Sequence, residues 1–219
     1  AQEYINKKSA LWLTFFFSVL PARWLVVRSV GSAEPLFITA ILASIYFFKK
    51  QKYWLAGIWG ALAQLTKSPG ILLFVAYFAN TLIPNYKEIT TTKYAEWSKY
   101  VKPKKLLPLL VIPASLILVF TLYAFTCKDF FAYFHSGDNI HLFFLPFTIF
   151  NYSAPWVGTF WLEEIIFIYL IGALAFTKLL KNKRDILTWF FAIFFISTLF
   201  VSHRDLLRYS LPIVPLSFI

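Results

Sequence analysis

The sequence predicts an all-α fold, a polytopic transmembrane helical bundle of about seven spans plus a truncated eighth, with a long outer loop carrying an interfacial helix. Three observations predict this fold class. The 219 residues are 59% hydrophobic and 21% aromatic but only 14% charged, a composition typical of membrane proteins. The lysines form short clusters that alternate with long apolar stretches. Proline and glycine together interrupt one of the longest of these stretches.

The apolar stretches give the predicted spans in chain order. Only residues 106–127 reach the length of about 20 apolar residues that a strict span needs. The other stretches are shorter, and Trp, Tyr and Lys at their ends can extend them; they cover 10–27, 35–48, 53–66, 69–84, 165–180 and 186–202. "TKSPG" at 66–70 predicts two helices rather than one over 53–84. A last, truncated span is predicted to begin near residue 210.

Basic residues orient these spans. If Lys7 and Lys8 face the cytoplasm, residues 85–105 form a basic cytoplasmic loop and the inside loops hold all but six of the 21 Lys and Arg residues. The six predicted outside are Arg23, Arg28, Lys67, Lys128, Arg204 and Arg208. The acidic and histidine residues predicted outside are Glu34, Asp129, Asp138, Glu163, Glu164, Asp205, His135, His141 and His203. Any chemistry is therefore expected on the non-cytoplasmic face.

Composition also limits the class of protein. The net charge of +11 could suggest a nucleic-acid partner, but the lysines stand beside apolar runs, so the lipid bilayer and no nucleic acid is the predicted partner. The single cysteine, Cys127, excludes an intramolecular disulfide and a multi-cysteine metal site. Because the sequence has no Met and stops within an apolar run, we expect residues 1–219 to be an internal piece of one transmembrane domain.

The first predicted outer segment is 20–35, "LPARWLVVRSVGSAEP". Pro21 is expected to end a helix there, and Glu34 to stand at the head of the next one, where the helix dipole favours a carboxylate. Two interpretations stay open. Either Glu34 is a helix cap and the arginines bind lipid headgroups, or Arg23 or Arg28 binds a phosphate and Glu34 faces a polar substrate.

The next outer turn contains Lys67 and Gly70. A lone lysine in such a turn is either an anchor at the membrane interface or a point-charge contact to a phosphate. The sequence favours neither interpretation.

The large outer loop, residues 128–164, is rich in aromatic residues and resembles an interfacial helix or re-entrant segment. His135, Asp138 and His141 repeat every three residues, so on a helix they could converge on a metal ion. Gly137 weakens that helix. Contacts to a polar substrate are the favoured interpretation, simple solvation of the loop is another, and a divalent metal is the least favoured, so no cofactor is predicted.

The densest polar cluster is "SHRDLLRY" at 202–209. On a helix, Arg204 and Arg208 would share one face, where two guanidiniums repel each other unless an anion lies between them. The cluster therefore predicts a phosphate-bearing ligand at the outer membrane surface, with further contacts from His203, Asp205 and Tyr209. The alternative is anchoring to headgroups together with an Arg–Asp pair.

Taken in order, these motifs resemble membrane-embedded GT-C glycosyltransferases, in particular the mannosyltransferase branch related to PIG-V and its prokaryotic relatives. The resemblance covers nearly the whole chain. It depends on "SAEPLF" before an apolar helix, on the turn with Lys67 and Gly70, on "FFAYFHSGDNIHLFFLPF" and on "SHRDLLRYSLPIVPL". This family usually has arginine at the position of Lys67.

The resemblance implies an inverting transfer of a hexose, mannose being the expected sugar, from a polyprenyl-phosphate donor to a hydroxyl of a glycan, lipid or protein acceptor. Arg204, Arg208 and Lys67 would stabilise the leaving phosphate. Glu34 or Asp138 would act as the base. The family's main catalytic acid is expected in an earlier outer loop that precedes this sequence. The expected location is a prokaryotic plasma membrane, or the endoplasmic reticulum in a eukaryote.

Two other functions fit a membrane protein of this kind. A transporter or flippase for a lipid-linked anionic substrate would carry ionisable residues inside its spans, whereas here Gln64 is the only strongly polar side chain deep in a clear span. A non-catalytic membrane assembly subunit would tolerate exchange of its outer charged residues.

Overall fold

The computed structural model describes residues 5–19, 32–85, 103–135, 144–151, 161–182, 184–203 and 206–217. These residues are predominantly helical and form no β-strand, which confirms the all-α class. The helices in chain order are α1 Lys7–Val19, α2 Glu34–Lys49, α3 Tyr53–Thr66, α4 Ile71–Leu82, α5 Pro103–Thr126, α6 Ala132–His135, α7 Trp161–Leu179, α8 Ile186–Leu199, α9 Leu206–Tyr209 and α10 Val214–Ser217. Helix α5 contains a 3-10 stretch at Leu107–Leu110.

Two compact units divide the chain. The first contains residues 1–35, 140–181 and 194–219, and the second contains 36–139 and 182–193. The expectation of one domain over 1–219 stays a prediction.

In the second unit, helices α3 and α5 pack closely through small residues. The buried face of α3 contains Ala56, Gly57, Gly60, Ala61 and Ala63. A Cβ atom added at Gly57 would lie 2.3 Å from the carbonyl oxygen of Pro108, and one at Gly60 would lie 2.4 Å from Cδ1 of Ile112. Glycine therefore allows the two helices to approach each other, as small residues do between membrane helices.

A buried polar network joins the helices of the same unit. The Ser44 hydroxyl donates to the backbone oxygen of Ala56 at 2.7 Å, and its oxygen lies 2.6 Å from the Tyr77 hydroxyl. The Tyr77 ring stacks on Phe48 with centroids 4.2 Å apart. These bonds satisfy polar atoms that would otherwise be costly to bury.

The first unit has its own small apolar core of Ile149, Ile165, Val201 and Leu206. The backbone N–H of Phe147 donates to the carbonyl of Leu199 at 2.7 Å, and the Tyr169 hydroxyl donates to the carbonyl of Thr198 at 3.2 Å. These bonds attach the 3-10 turn Thr148–Phe150 and α7 to the end of α8.

The predicted helix break is confirmed, because α3 ends at Thr66, Lys67 is extended, and a 3-10 turn at Ser68–Gly70 precedes α4. Among the described residues, one helix, α5, is long and apolar enough to cross a membrane. It corresponds to the only stretch predicted to meet the strict length. The apolar part of α7, Ile165–Leu179, and helix α8 are shorter.

Several helix boundaries differ from the predicted span and loop boundaries, and the assignment of the loops to the two sides of the membrane stays a prediction. Residues 103–105 of the predicted cytoplasmic loop belong to α5, because Pro103 is well suited to the first turn of a helix. Residues 161–164 of the predicted outer loop begin α7. The predicted last span does not start at residue 210, since turns at 210–213 separate α9 from α10. The first helix begins at Lys7, and residues 20–27 of its predicted span lie outside the described residues.

Candidate functional site

The most developed polar arrangement follows the end of α5, where Asp129 and His135 meet. Lys128 adopts a left-handed conformation, with φ of 57°, and turns the chain after the helix. One carboxylate oxygen of Asp129 (Oδ1) accepts the backbone N–H of Phe131 at 2.9 Å, and the other (Oδ2) lies 2.6 Å from Nδ1 of His135. The residue before α6 and the last residue of α6 thus both contact one carboxylate. We call Asp129 and His135 the outer pair.

The outer pair lies at the surface. The His135 side chain is 67% exposed and that of Asp129 is 37% exposed. The hydrogen bond from His135 holds the pKa of Asp129 below its ordinary value, with a smaller contribution from the Phe131 N–H. In the part of the chain that the structure describes, Nε2 of His135 has no hydrogen-bond partner. That nitrogen is therefore accessible to a ligand.

Aromatic rings hold the α6 turn on the last part of α5. The Phe120 ring meets the rings of Phe130, Phe131 and Phe134 edge to face, with centroids 5.4, 6.3 and 5.9 Å apart. Such edge-to-face pairs stabilise packing beyond the burial of area alone. The turn that carries His135 is therefore attached to the helix by side-chain packing as well as by Asp129.

The turn with Lys67 lies beside the same segment. The Ser68 hydroxyl is 3.1 Å from the Tyr133 hydroxyl, which joins the α3–α4 turn to α6. A Cβ at Gly70 would lie 2.4 Å from the backbone nitrogen of Gln64, so this tight turn requires glycine. The Gln64 side chain is buried, and its Oε1 atom has no hydrogen-bond partner among the described residues. Two predicted site residues, Lys67 and His135, thus belong to adjoining segments.

The opposite end of α5 carries a different set of contacts. The Lys105 ammonium lies 4.5 Å from the centre of the Phe48 ring, and Lys49 lies 3.8 Å from Oδ2 of Asp185. The Asp185 Oδ1 atom accepts the backbone N–H of Leu187 at 3.0 Å. Asn80 donates to the carbonyl of Arg184 at 3.0 Å. We call this end, with its lysines and Asp185, the basic end of the second unit.

The remaining described site residues belong to the first unit. Glu34 is the first residue of α2, as predicted, and is 2% exposed. The Ser32 hydroxyl donates a hydrogen bond to Oε2 of Glu34. The His203 and Tyr209 rings meet edge to face, with centroids 5.6 Å apart. The neighbouring Ser202 hydroxyl donates to the carbonyl of Thr148 at 3.4 Å.

The other predicted site residues lie outside the described residues: Arg28, Asp138, His141, Arg204 and Asp205. Arg208 lies in α9, and only its backbone is described. Within the described ranges, no three His, Cys, Asp or Glu side chains form a group that could hold a metal ion. Asp138 and His141 lie outside those ranges, so the predicted His–Asp–His metal site stays a prediction.

The sequence pattern did not indicate the partner of His135. The three-residue spacing groups this histidine with Asp138 and His141, and the charge pattern places Asp129 only on the predicted outer side. A separation of six residues matches no helix face, so the pairing depends on the turn at residues 130–131, which lies between Asp129 and the short helix that ends at His135. "KDFF" before a short helix was the available signal, because Asp often accepts a backbone N–H two residues ahead.

No protein-family model matches this chain, and neither a curated protein nor a solved structure matches it.

Proposed function

We propose that this chain is part of a multi-pass membrane glycosyltransferase. It transfers a hexose, mannose being the expected sugar, from a polyprenyl-phosphate donor to an acceptor hydroxyl on the non-cytoplasmic face. The observation that carries the proposal is the arrangement of α5, a 24-residue apolar helix that has lysines at its first end and the titratable outer pair just beyond its last residue. Such a helix is about 36 Å long, enough to cross a hydrocarbon core of about 30 Å.

The surface of α5 supports a lipid environment. Only 22% of its most apolar 18-residue window is buried. Ile117, Leu118, Leu122 and Phe125 are exposed, and Phe125 is 80% exposed. In water this face would be a large apolar patch, whereas in a bilayer it meets lipid chains. The close packing of α3 on α5 through glycine is also typical of membrane helices.

The contacts in the second unit support the proposed orientation. Lys49, Lys105 and Asp185, which belong to different predicted inside loops, lie at one end of the unit. Ser68 and Tyr133, from two predicted outer segments, form a hydrogen bond near the other end. Basic residues accumulate on the cytoplasmic side of membrane proteins, so the end with the outer pair faces outward in the proposal.

The proposed reaction is an inverting displacement. The acceptor hydroxyl attacks the anomeric carbon, the bond from that carbon to the phosphate oxygen breaks, and polyprenyl phosphate leaves with the electron pair. Fixed positive charge stabilises the leaving phosphate, and the sequence assigns that role to Arg204 and Arg208. Glu34 and Asp138 are the sequence-based candidates for the base.

The proposal is tested with the Arg204→Gln/Arg208→Gln variant of the full-length protein in membranes. Release of polyprenyl phosphate from radiolabelled polyprenyl-phosphate mannose reports transfer to any acceptor. We expect a loss of at least about 100-fold, because removal of a charge-stabilising group costs on the order of 10²–10³ in rate. Arg184→Gln, at the basic end, is the matched control and is expected to keep full activity. Equal rates for the double variant and the control would contradict the phosphate role.

The same assay separates the alternative functions. A flippase would move labelled donor across the membrane without releasing polyprenyl phosphate. A non-catalytic assembly subunit would release none and would tolerate the double substitution. If the wild-type protein moved the labelled donor without releasing polyprenyl phosphate, or released none at all, the proposed transferase would be refuted.

A further inference from the structure

We propose that the outer pair supplies the general base of this transfer, with His135 as the catalytic residue and Asp129 as its positioning residue. The inference rests on the proposed function and deepens it, since it assigns the acceptor's proton to a group that the sequence did not select as the base. The juxtaposition that carries it is the 2.6 Å contact between Oδ2 of Asp129 and Nδ1 of His135, in a side chain that is 67% exposed and whose Nε2 has no hydrogen-bond partner among the described residues.

The carboxylate fixes the protonation pattern of the ring. When Nδ1–H donates to Asp129, the neutral imidazole carries its lone pair on Nε2, so the nitrogen that Asp129 does not contact is the basic one. The ring orientation is also fixed, because the other oxygen of Asp129 accepts the Phe131 N–H and the aromatic rings hold α6 on α5. A carboxylate that orients a histidine in this way is a recurring device in general-base catalysis.

The surroundings of His135 suit a reaction at the membrane surface. The charged or titratable side chains on the segments packed together here are Lys67, Tyr123, Cys127, Lys128, Asp129 and Tyr133. Of these, Asp129 is the only carboxylate, and it already contacts Nδ1. No second carboxylate in the described part of these segments holds Nε2 protonated by a direct bond. The exposed Phe131 and Phe134 rings flank the pair with apolar surface on which a lipid-linked donor can rest.

The proton balance of the step is simple. As the acceptor oxygen forms its bond to the anomeric carbon, its proton passes to Nε2 of His135. The bond between the anomeric carbon and the phosphate oxygen breaks, and the electron pair leaves on polyprenyl phosphate. The resulting imidazolium is stabilised by the Asp129 carboxylate until it releases its proton to water. No oxidant, reductant or further reactant is required.

The test compares His135→Ala with wild-type protein in native membranes, with release of polyprenyl phosphate from labelled polyprenyl-phosphate mannose measured between pH 5 and 9. We expect wild-type kcat to fall on the acid side, because an imidazole that is already protonated cannot accept the proton of the acceptor hydroxyl. His135→Ala should lower kcat by about 10²–10⁴-fold, flatten that acid limb and leave KM nearly unchanged. Added imidazole should restore part of the rate, a readout that a purely structural role would not change.

Matched controls isolate the positioning role of Asp129. Asp129→Asn keeps the bond to the Phe131 N–H but removes the charge, so kcat should fall by at least about 10-fold with KM unchanged. Asp185→Asn removes the charge from a carboxylate with the same local bond at the basic end and should keep full kcat. His203→Ala, on a histidine of the other unit, should give no recovery with imidazole.

The outcomes distinguish the inference from the function that underlies it. Wild-type release of polyprenyl phosphate together with an unchanged rate and pH profile in His135→Ala would overturn the base role and leave the transferase standing. Loss of activity in His135→Ala without imidazole recovery, with the pH profile of the residual rate unchanged, would also overturn it. No release by the wild-type protein would refute the proposed function itself.

Discussion

At each end of the second unit an aspartate accepts a backbone N–H two residues ahead, but the basic side chain that it pairs with differs between the two ends. At the basic end, Asp185 accepts the N–H of Leu187 with one oxygen and pairs with Lys49 through the other, and its side chain is 13% exposed. At the outer end, Asp129 accepts the N–H of Phe131 and pairs with His135. Both aspartates therefore start a helical turn through Oδ1 and bind a basic group through Oδ2.

The difference lies in the basic partner and its exposure. Lys49 has one nitrogen, and its ion pair with Asp185 connects two helices of the unit. His135 has a second ring nitrogen that points away from the carboxylate, and its side chain is 67% exposed. The first arrangement can only stabilise the fold, whereas the second leaves a ring nitrogen that can accept a proton from a ligand. The same capping geometry therefore only stabilises the fold at the basic end, whereas in the outer pair it leaves a ring nitrogen of His135 that can contact a ligand.

The largest expected effect comes from breaking the packing next to the basic end. Gly57→Ala places a Cβ against the backbone oxygen of Pro108, which cannot rotate away, so we expect a loss of about 1–3 kcal/mol in the free energy of unfolding. Gly60→Ala is the matched control, because its nearest neighbour is the end of the flexible Ile112 side chain. Thermal unfolding in detergent measures both. Equal destabilisation by the two substitutions would contradict the close backbone approach.

A smaller effect should come from Lys105, whose ammonium lies over the Phe48 ring. Lys105→Gln removes a cation–π contact and should lower the free energy of unfolding by about 0.5–1 kcal/mol. Lys104→Gln, at the exposed neighbouring position, should leave stability unchanged. The same thermal measurement applies. If both variants behave alike, the lysines at this end act only through their summed charge.

The smallest effect concerns the pH dependence of the outer pair. The pKa of Asp129 is lowered in the folded state, so its contribution to stability is complete above the unfolded pKa of about 3.9 and is lost as pH falls through the folded pKa. Carboxyl NMR of ¹³C-labelled aspartate should find Asp129 titrating below this ordinary value. His135→Ala should move its titration upward, because the largest cause of the shift is removed. An unchanged titration would show that the two side chains do not interact in solution.

Features that depend on neighbouring residues were predictable from the sequence. Pro69 and Gly70 predicted the break between α3 and α4, and Pro35 after Glu34 predicted the start of α2. The long apolar stretch that became α5 was predicted with its start three residues too late. In each case the sequence signal is local, since proline and glycine act on the backbone within a few residues.

Features that depend on tertiary contact were not predictable. Ser44 and Tyr77 are 33 residues apart, and their hydrogen bond exists only after α2 and α4 pack together. The Ser44 and Tyr77 hydroxyls are therefore buried polar groups in the predicted spans, in which the sequence indicated Gln64 as the only strongly polar side chain. The approach of Gly57 to Pro108 and the pairing of Asp129 with His135 have the same origin. Periodicity identifies which face of a helix is apolar, but not which residue on another segment meets it.

The central claim is that α5 crosses a membrane with the outer pair on the non-cytoplasmic side, and Cys127 tests it most directly. This exposed residue is the only cysteine and follows the last residue of α5, whereas exposed Lys104 lies at its first turn. A membrane-impermeant maleimide added to intact cells should label Cys127 in the wild-type protein. In the Cys127→Ser/Lys104→Cys variant, labelling should require permeabilised membranes. Labelling of both proteins in intact cells, or the reverse pattern, would contradict the account.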